Sequence, residues 1–331
     1  MSQQADIDNA SAQIRELRQG IEQQIVGHHE VVDGVLAALL AGGHVLLEGV
    51  PGLGKTLLIK TLGRCMDLQF SRVQFTPDLM PADIIGTQMV AQDEHGQRHF
   101  RFQQGPVFTQ LLLADEVNRG TPKTQSALLE AMEEQHVSVG NEVHTLQQPF
   151  MVLATQNPIE MEGTYPLPEA QLDRFMLKLV AQFPDVDELS TIVDRATGVE
   201  PQTATAVLDA ATLMQLRQLT RTVVVANHVK DYALRIVTAT HPQSADAPDA
   251  TKKYIRHGAS PRGALSLILI AKATALMDGR LNISFDDIKA CCHSVLRHRI
   301  VPSFEAEAEG VTTDAVVDAI LDSIPLTHHN Q

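Results

Sequence analysis

Residues 49–56 read Gly49-Val50-Pro51-Gly52-Leu53-Gly54-Lys55-Thr56, a glycine-rich stretch that ends in a lysine and a threonine. An apolar run over His44–Leu47 precedes it and indicates a buried strand of a parallel sheet, and a helix is predicted over Leu57–Met66. In the pattern G-x-x-x-x-G-K-[ST] the glycines let backbone N–H groups surround phosphate oxygens, and the helix N-terminus adds a positive dipole. We therefore expect Lys55 to reach the β- and γ-phosphates of a nucleotide and the Thr56 hydroxyl to hold Mg²⁺. The alternative is a glycine-rich turn without a ligand.

Two adjacent acids end a second apolar run. Asp115 and Glu116 follow the strand predicted over Gln110–Ala114, about sixty residues after the phosphate loop. Buried carboxylates at the carboxyl end of a strand need a compensating charge, which a metal-bound phosphate supplies. Asp115 is the candidate ligand of Mg²⁺ through its water shell. Glu116 is the candidate general base that polarises the attacking water.

An amide ends the next apolar strand, predicted over Phe150–Thr155. Asn157 follows it and could orient the attacking water from the side opposite Glu116. The alternative is an asparagine that closes a turn before Pro158.

Short apolar strands alternate with helices in the first half of the chain, which predicts an α/β fold with a parallel sheet and right-handed crossovers. Two further strands are predicted at Arg72–Phe75 and Met176–Val180, and further helices at Ser11–Gln24, across the stripe from Val31 to Leu40, and at Pro122–Glu134.

Two predicted hairpins interrupt this alternation. One spans Thr87–Phe102 around a polar turn at Asp93–Gly96, and the other spans His136–Leu146 around Gly140-Asn141. Neither is needed to close a nucleotide site, so each is a candidate protrusion. Beyond Pro184 the strand signal ends and helices follow, which predicts an α/β core over residues 1–184 and an all-α second domain over residues 185–331.

The charge of the chain limits the kinds of partner that it can bind. The formal net charge is −14 over 331 residues, and such an acidic chain repels nucleic acid and anionic membranes over its surface as a whole. The first hairpin is locally basic, with His95, Arg98, His99 and Arg101. Two interpretations of that hairpin stay open: a surface for an acidic partner, including nucleic acid, or a solvated face.

The remaining sequence signals concern compartment and cysteines. The N-terminus lacks a signal peptide, and the longest nearly apolar segment, Gly263–Ala271, is too short to span a bilayer, so a cytoplasmic protein is expected. Cys65, Cys291 and Cys292 do not form a disulfide pattern. The adjacent pair before His293 lacks the two-residue spacing of a metal site, so we expect at least one buried thiol there.

The motifs resemble those of AAA+ ATPases. The phosphate loop, Asp115-Glu116, Asn157, Leu172-Asp173-Arg174-Phe175 and Ser260-Pro261-Arg262 occur in the order and spacing of that superfamily, and the helical second domain resembles its lid. The two hairpins resemble the helix-2 insert and the pre-sensor-1 insert. Nearly the whole chain is similar to the MoxR family, with magnesium-chelatase ATPase subunits as the nearest relatives that carry the same inserts. The segments that carry this similarity are Thr76–Ile85, Asp115–Arg119, Ala154–Pro158, Tyr165–Phe175 and Gly258–Arg262.

The resemblance implies roles for single residues. Asn157 matches sensor 1, Arg262 matches sensor 2 on the γ-phosphate, and Arg174 matches the arginine finger that reaches the nucleotide of a neighbouring subunit. Arg119 is a second candidate for such a contact. Without the resemblance, a salt bridge from Arg174 to Asp173 or Glu169 would be the preferred interpretation. Nucleotide contacts are implied for Gly49, Pro51, Gly52, Leu53, Gly54, Lys55, Thr56 and Leu57, and for Val26 within the adenine-side segment Ile25–Gly27.

The resemblance also implies an activity and partners. It implies a homo-oligomeric, usually hexameric ring that hydrolyses ATP with Mg²⁺ and remodels, matures or activates partner proteins, often ones with von Willebrand factor A domains. Two alternatives remain open. One is the ATPase motor subunit of a multi-component complex such as a metal chelatase, and the other is a nucleotide-gated scaffold in which hydrolysis is slow.

Overall fold

The computed structural model describes residues 3–49, 52, 54–92, 97–140, 142–157, 163–198 and 206–326. Its helices are α1 Gln3–Glu22, α2 His29–Ala41, α3 Lys55–Cys65, α4 Pro81–Ile85, α5 Pro122–Glu134, α6 Glu169–Leu172, α7 Val186–Thr197, α8 Ala210–Thr222, α9 Asn227–Ala239, α10 Asp249–Tyr254, α11 Pro261–Met277, α12 Phe285–Leu296, α13 Phe304–Glu309 and α14 Thr313–Ser323. Its strands are β1 Val45–Glu48, β2 Phe70–Gln74, β3 Gly86–Gln92, β4 Arg98–Gln104, β5 Leu111–Asp115, β6 His136–Val139, β7 Glu142–Thr145, β8 Met151–Gln156, β9 Leu177–Val180, β10 Ile255–His257 and β11 Val301–Pro302.

Five strands form one parallel sheet in the order β2-β5-β8-β1-β9. The register places Gln74 opposite Asp115 and Glu48 opposite Gln156. The carboxyl ends of β1, β2, β5 and β8 therefore meet at one edge of the sheet, where ligands bind in open α/β folds. The α/β core and all five predicted strands are confirmed, with bounds shifted by one or two residues.

Both faces of the sheet are buried. Side chains of a strand alternate between faces, and in β1 this sends Val45 and Leu47 into one hydrophobic cluster and Leu46 into the other. The Leu46 cluster packs against α5, whereas the other cluster contains the apolar stripes of α1, α2 and α3. Burial on both faces explains why these strands are continuously apolar in sequence.

The N-terminal helices and the helical second half share one apolar cluster, which joins Ile14 and Leu17 of α1 to residues of α8, α9, α11 and α12. Helix α1 begins earlier than the predicted Ser11, because Ile7 continues the stripe and is fully buried. The boundary near residue 184 stays a prediction. All three cysteines are buried, so the expectation of at least one buried thiol in the Cys291-Cys292 pair is confirmed.

The two predicted hairpins are present as the pairs β3–β4 and β6–β7. They touch each other, since the ring of Phe102 stacks on that of His144 with centroids 3.9 Å apart. Further along β3–β4, Val90 and Phe100 are exposed. The turn residues 93–96 and Asn141 lie outside the described residues.

Within the ranges that the structure describes, no helix combines the length and apolar character that crossing a bilayer requires.

Candidate nucleotide site

The phosphate loop leaves the sheet at the carboxyl end of β1. The N–H of Gly49 donates to the carbonyl of Gln156 at 3.2 Å, and Lys55 opens α3 and donates from Nζ to the carbonyl of Gly49 at 2.7 Å. Gly52 and Gly54 have φ values of 86° and 71°, which glycine adopts without the steric cost of a Cβ. A Cβ built on either would meet nothing within 4 Å, so the loop borders open space. Three positions of the loop motif lie outside the described residues: Val50, Pro51 and Leu53.

Lys55 faces the two acids that the sequence predicted. Burial lowers the pKa of Lys55, while the charges of Asp115 and Glu116 act in the opposite direction and raise it. Lys55 and the two candidate acids therefore lie at the same edge of the sheet.

Three hydrogen bonds fix the carboxylate of Asp115, one of them from Nε of Arg72 to Oδ2 at 3.2 Å. The Thr155 hydroxyl donates to Oδ1 at 2.6 Å, and Nη2 of Arg72 donates to Oδ2 at 2.7 Å. Sequence analysis did not single out either partner. The signal that could have found them is strand order, because both residues lie on strands that flank β5.

Glu116 has a left-handed backbone, with φ 56° and ψ 49°. Such a conformation costs a non-glycine residue roughly 1–3 kcal/mol and persists only where the surroundings enforce it. Its N–H donates to the Thr155 hydroxyl at 2.9 Å, and its Oε2 accepts from Gln74 Nε2 at 2.7 Å and from Arg119 Nη1 at 3.0 Å. Arg119, the second candidate for a contact in a neighbouring subunit, thus holds Glu116 of its own chain. Gln74 was also missed from sequence.

Asn157 lies at this edge too. It follows β8 directly and is buried, with 6% of its surface exposed. The water-orienting role of this amide stays a prediction, and Pro158 lies outside the described residues.

The segment predicted to hold a base lies next to the phosphate loop. Ile25 and His28 line a small cavity together with Gly54, Lys55 and Ala181. Gly27 has φ 68°, which favours glycine, and a Cβ on it would lie 2.5 Å from the Glu188 carboxylate, so a larger residue would strain the backbone and displace that side chain. Val26 is half-buried. His28 is the N-cap of helix α2, and His29 is its first residue.

These groups fit a nucleoside triphosphate with Mg²⁺. The open glycine loop and the ammonium of Lys55 suit phosphate oxygens. A hydroxyl on Thr56 and a carboxylate on Asp115 are the hard oxygen donors that Mg²⁺ prefers. Leu57, the next residue of α3, is about half exposed at 48% and borders this loop.

Arg174 and Arg262 meet at a single carboxylate. Glu133, in the last turn of α5, accepts from Nη2 of Arg174 at 2.9 Å and from Nη2 of Arg262 through its other oxygen. The salt bridge from Arg174 to Asp173 or Glu169, considered from sequence, is therefore wrong. Glu133 itself was missed from sequence, because no local pattern distinguishes it from other helical acids.

Asp173 joins the two arginine motifs. Its Oδ2 accepts from the hydroxyl of Ser260 at 2.7 Å, and Ser260 is the N-cap of α11, the helix that carries Arg262. Its Oδ1 accepts from Nε of Arg299 at 2.9 Å, and the Arg299 side chain is 2% exposed. Burial lowers the pKa of Arg299 to about 10, and Asp173 opposes that shift. The start of α11 is thus fixed beside the Arg174 loop.

The arginine pair lies at the opposite edge of the sheet from the phosphate loop. The N–H of Met176 donates to the carbonyl of His44 at 2.8 Å, just before β1, and the His44 ring contacts the carbonyl of Met132 at 3.1 Å. A strand rises about 3.3 Å per residue, so the four residues of β1 separate this cluster from Gly49 by roughly 13 Å. Contact of Arg262 with the phosphate of its own chain, which the resemblance left open, does not fit this placement.

Comparisons with known proteins agree with the geometry. Residues 44–177 match the ATPase family associated with various cellular activities (AAA), and residues 248–320 match the AAA lid domain. The chain is 42% identical over 310 residues to Chaperone MoxR1 of Mycobacterium tuberculosis, covering 94% of this chain and 81% of that protein. It is 39% identical over 307 residues to the uncharacterized protein YeaC of Bacillus subtilis, covering 92% of both. The crystal structure of a candidate ATPase from Cytophaga hutchinsonii superimposes with a TM-score of 0.90 at 39% identity, covering 97% of each chain.

Proposed function

The chain belongs to the MoxR family of AAA+ ATPases, and from this premise we propose that it hydrolyses Mg²⁺–ATP at sites shared between neighbouring copies in a hexameric ring. One observation carries the proposal. Arg174 and Arg262 lie together at one edge of the sheet, whereas Lys55, Asp115 and Glu116 lie at the other. Each edge therefore carries half of a phosphoryl-transfer site. A head-to-tail contact between two copies would bring the two halves together.

Each residue has a distinct task in such a site. Lys55 binds the β- and γ-phosphates, while Thr56 and Asp115 hold Mg²⁺, which neutralises phosphate charge when bound. Glu116, fixed by Gln74 and Arg119, takes the proton of the attacking water, and Asn157 orients that water.

The neighbour supplies the remaining charge. Arg174 and Arg262 of the adjacent copy donate to the γ-phosphate oxygens as charge develops in the transition state. In phosphoryl transfer an arginine supplied in this way is worth about 10³–10⁵ in rate.

The hairpins are the proposed contact with the partner protein on which the ring acts. We assign to β3–β4 the contact with a partner, because Val90 and Phe100 are exposed on it beside Arg98 and Arg101. The partner is a client that the ring remodels or activates, and a protein with a von Willebrand factor A domain is the proposed class. The name of the mycobacterial relative, a chaperone, supports this role.

The first test is the ATPase rate per subunit against protein concentration, for the native chain and for Arg174→Ala. The native rate should rise with concentration. The rate of the variant should stay about 10³-fold below the native rate while the variant still binds ATP. Arg256→Ala is the control, because Arg256 is an exposed arginine of the helical half paired with Glu169. A native rate independent of concentration, unchanged in Arg174→Ala, would reject the shared site and favour the gated scaffold.

The partner surface has its own test. Replacing Gln92–Gln97 by a two-residue turn should leave basal hydrolysis unchanged, because the hairpin contributes nothing to the site above. It should abolish stimulation of hydrolysis by a purified von Willebrand factor A domain protein from the same genome. Undiminished stimulation would exclude the hairpin tip as the working surface, and stimulation by a tetrapyrrole-binding subunit instead would favour the chelatase-type motor.

A further inference from the structure

Glu133 gives one oxygen to each of two arginines. Its Oε2 lies 2.9 Å from Nη2 of Arg174, and its Oε1 accepts from Nη2 of Arg262. The three side chains remain between 30% and 45% exposed, so the cluster lies at the surface, open to an approaching partner. A carboxylate and a phosphate offer guanidinium groups the same kind of charged oxygen acceptor. Glu133 thus occupies the position relative to both arginines that two γ-phosphate oxygens would take.

We propose that Glu133 is a placeholder for the γ-phosphate: in the unassembled chain it holds Arg174 and Arg262 together and neutralised, and the nucleotide of the neighbouring copy displaces it when the shared site forms. This inference rests on the proposed function and adds a residue that opposes assembly until ATP is bound.

The surroundings make Glu133 the movable member of the cluster. Asp173 ties the Arg174 loop to the N-cap Ser260 and to buried Arg299, so the backbones of both arginines stay adjacent when the carboxylate leaves. Glu133 lies in the last turn of α5, whose C-cap is Gln135 with φ 55°, and its side chain needs only rotamer changes to turn into solvent.

Because Glu133 is negatively charged, it competes with the phosphate for the two arginines. Asp173, the other acid packed against these arginines, is already neutralised by Arg299. If Glu133 stayed between the arginines, its negative charge would lie beside a γ-phosphate and repel it. Removing that charge should therefore make assembly around ATP easier, whereas a carboxylate that merely orients the arginines would make assembly harder when lost.

The test measures assembly directly. The full-length chain is titrated in protein concentration with a non-hydrolysable ATP analogue and Mg²⁺, and its mass distribution is followed by sedimentation. Glu133→Gln keeps the size but removes the charge, and its assembly midpoint should fall by roughly two- to fivefold, as expected for a partly exposed ion pair. The maximal ATPase rate at saturating protein should stay within about twofold of native, because the assembled site no longer contains Glu133.

Three controls make the result specific. Glu134→Gln removes the same charge from the exposed neighbour on α5 and should keep the native midpoint. Glu133→Asp keeps the charge and should lie closer to native than Glu133→Gln. In an Arg174→Ala background the effect of Glu133→Gln should shrink, because the two residues act through one contact.

The outcomes separate the two proposals. A midpoint for Glu133→Gln that is equal to that of Glu134→Gln, or higher than native, overturns the placeholder role. If Arg174→Ala still loses the concentration-dependent rate in that case, the shared site stands without it. If Arg174→Ala behaves as native, the shared site and the placeholder fall together.

Discussion

Glu116, the candidate general base, has a strained backbone conformation. A left-handed glutamate between a strand and a short helix costs free energy. It is held there by a hydrogen bond from its own N–H to the Thr155 hydroxyl and by hydrogen bonds from Gln74 and Arg119 to its carboxylate. The consequence is a carboxylate with a fixed direction at the edge that carries Lys55. A carboxylate placed by its own backbone needs little reorganisation when water attacks, which is what a general base requires.

Glu116→Gln should stop turnover and keep nucleotide binding. The amide has nearly the same size but cannot accept the proton of water, so the ATPase rate should fall by at least about 10². Binding of a fluorescent ATP analogue and ATP-dependent assembly, measured on the same sample, should remain native. Hydrolysis at the native rate would mean that another group acts as the base.

Residues with local signatures were predictable, and their partners were not. Lys55, Asp115 and Glu116 stand in short motifs whose geometry depends on the adjoining strand and helix alone. Gln74 reaches Glu116 only because β2 pairs with β5 in one particular register. Glu133 meets two arginines that are 41 and 129 positions away in sequence, through packing that no pattern in one chain encodes.

At the scale of elements, the start of α11 matters most for the proposed site. Ser260 accepts from the N–H of Arg262 at 3.1 Å as the N-cap and donates to Asp173 at 2.7 Å. One hydroxyl therefore caps the start of the helix and joins it to the Arg174 loop. This dual use explains how two arginines far apart in sequence come to share an acceptor.

Ser260→Ala should act on both stability and assembly. Loss of an N-cap lowers the free energy of unfolding by about 1 kcal/mol. Because the contact with Asp173 is lost too, the protein concentration for half-maximal ATPase rate should rise severalfold.

Ser284→Ala is the matched control, since Ser284 caps α12 by the same kind of bond. It should cost similar stability in denaturant unfolding and leave the concentration dependence native. Equal concentration dependence in both variants would show that the Asp173 contact does not position Arg262.

Element type was predicted better than element length. The strands and both hairpins follow from apolar runs and turn residues, which are local. The early start of α1 was missed because Ile7 stands alone in a polar stretch, and its burial depends on the helices that it meets. The domain boundary near residue 184 stays a prediction, since one apolar cluster extends across it.

For the whole molecule, buried histidines link stability to pH. His44 accepts from the N–H of Val152 and contacts the carbonyl of Met132, and burial lowers its pKa to about 4 from an ordinary value of 6.5. Burial also lowers the pKa of His298 well below its ordinary value. Between pH 6.5 and 4 the unfolded chain therefore binds more protons, so the free energy of unfolding falls as the pH falls through this range.

The slope should approach about 1.4 kcal/mol per pH unit for each such histidine. His44→Gln should lower this slope by the contribution of one histidine. The slope is measured by denaturant unfolding at pH 7.0, 6.0 and 5.0. His99→Gln, at an exposed site, should leave it unchanged. An equal slope in the native chain and His44→Gln would mean that His44 is not the linked group.

The proposed division of the site between two edges of the sheet makes a prediction that only an assembly can fulfil. Lys55→Ala destroys the phosphate half and keeps the arginines, whereas Arg174→Ala does the reverse, so each variant alone should be nearly inactive. In an equal mixture, about a quarter of head-to-tail contacts pair an intact phosphate loop with an intact neighbouring arginine, so up to about a quarter of the native rate should return. Mixing Lys55→Ala with Glu116→Gln is the control, because Lys55 and Glu116 serve the same half and no contact in that mixture is complete. Activity in the first mixture alone requires that the site be divided between copies, whereas two silent mixtures of folded, ATP-assembled protein would confine the chemistry to one chain.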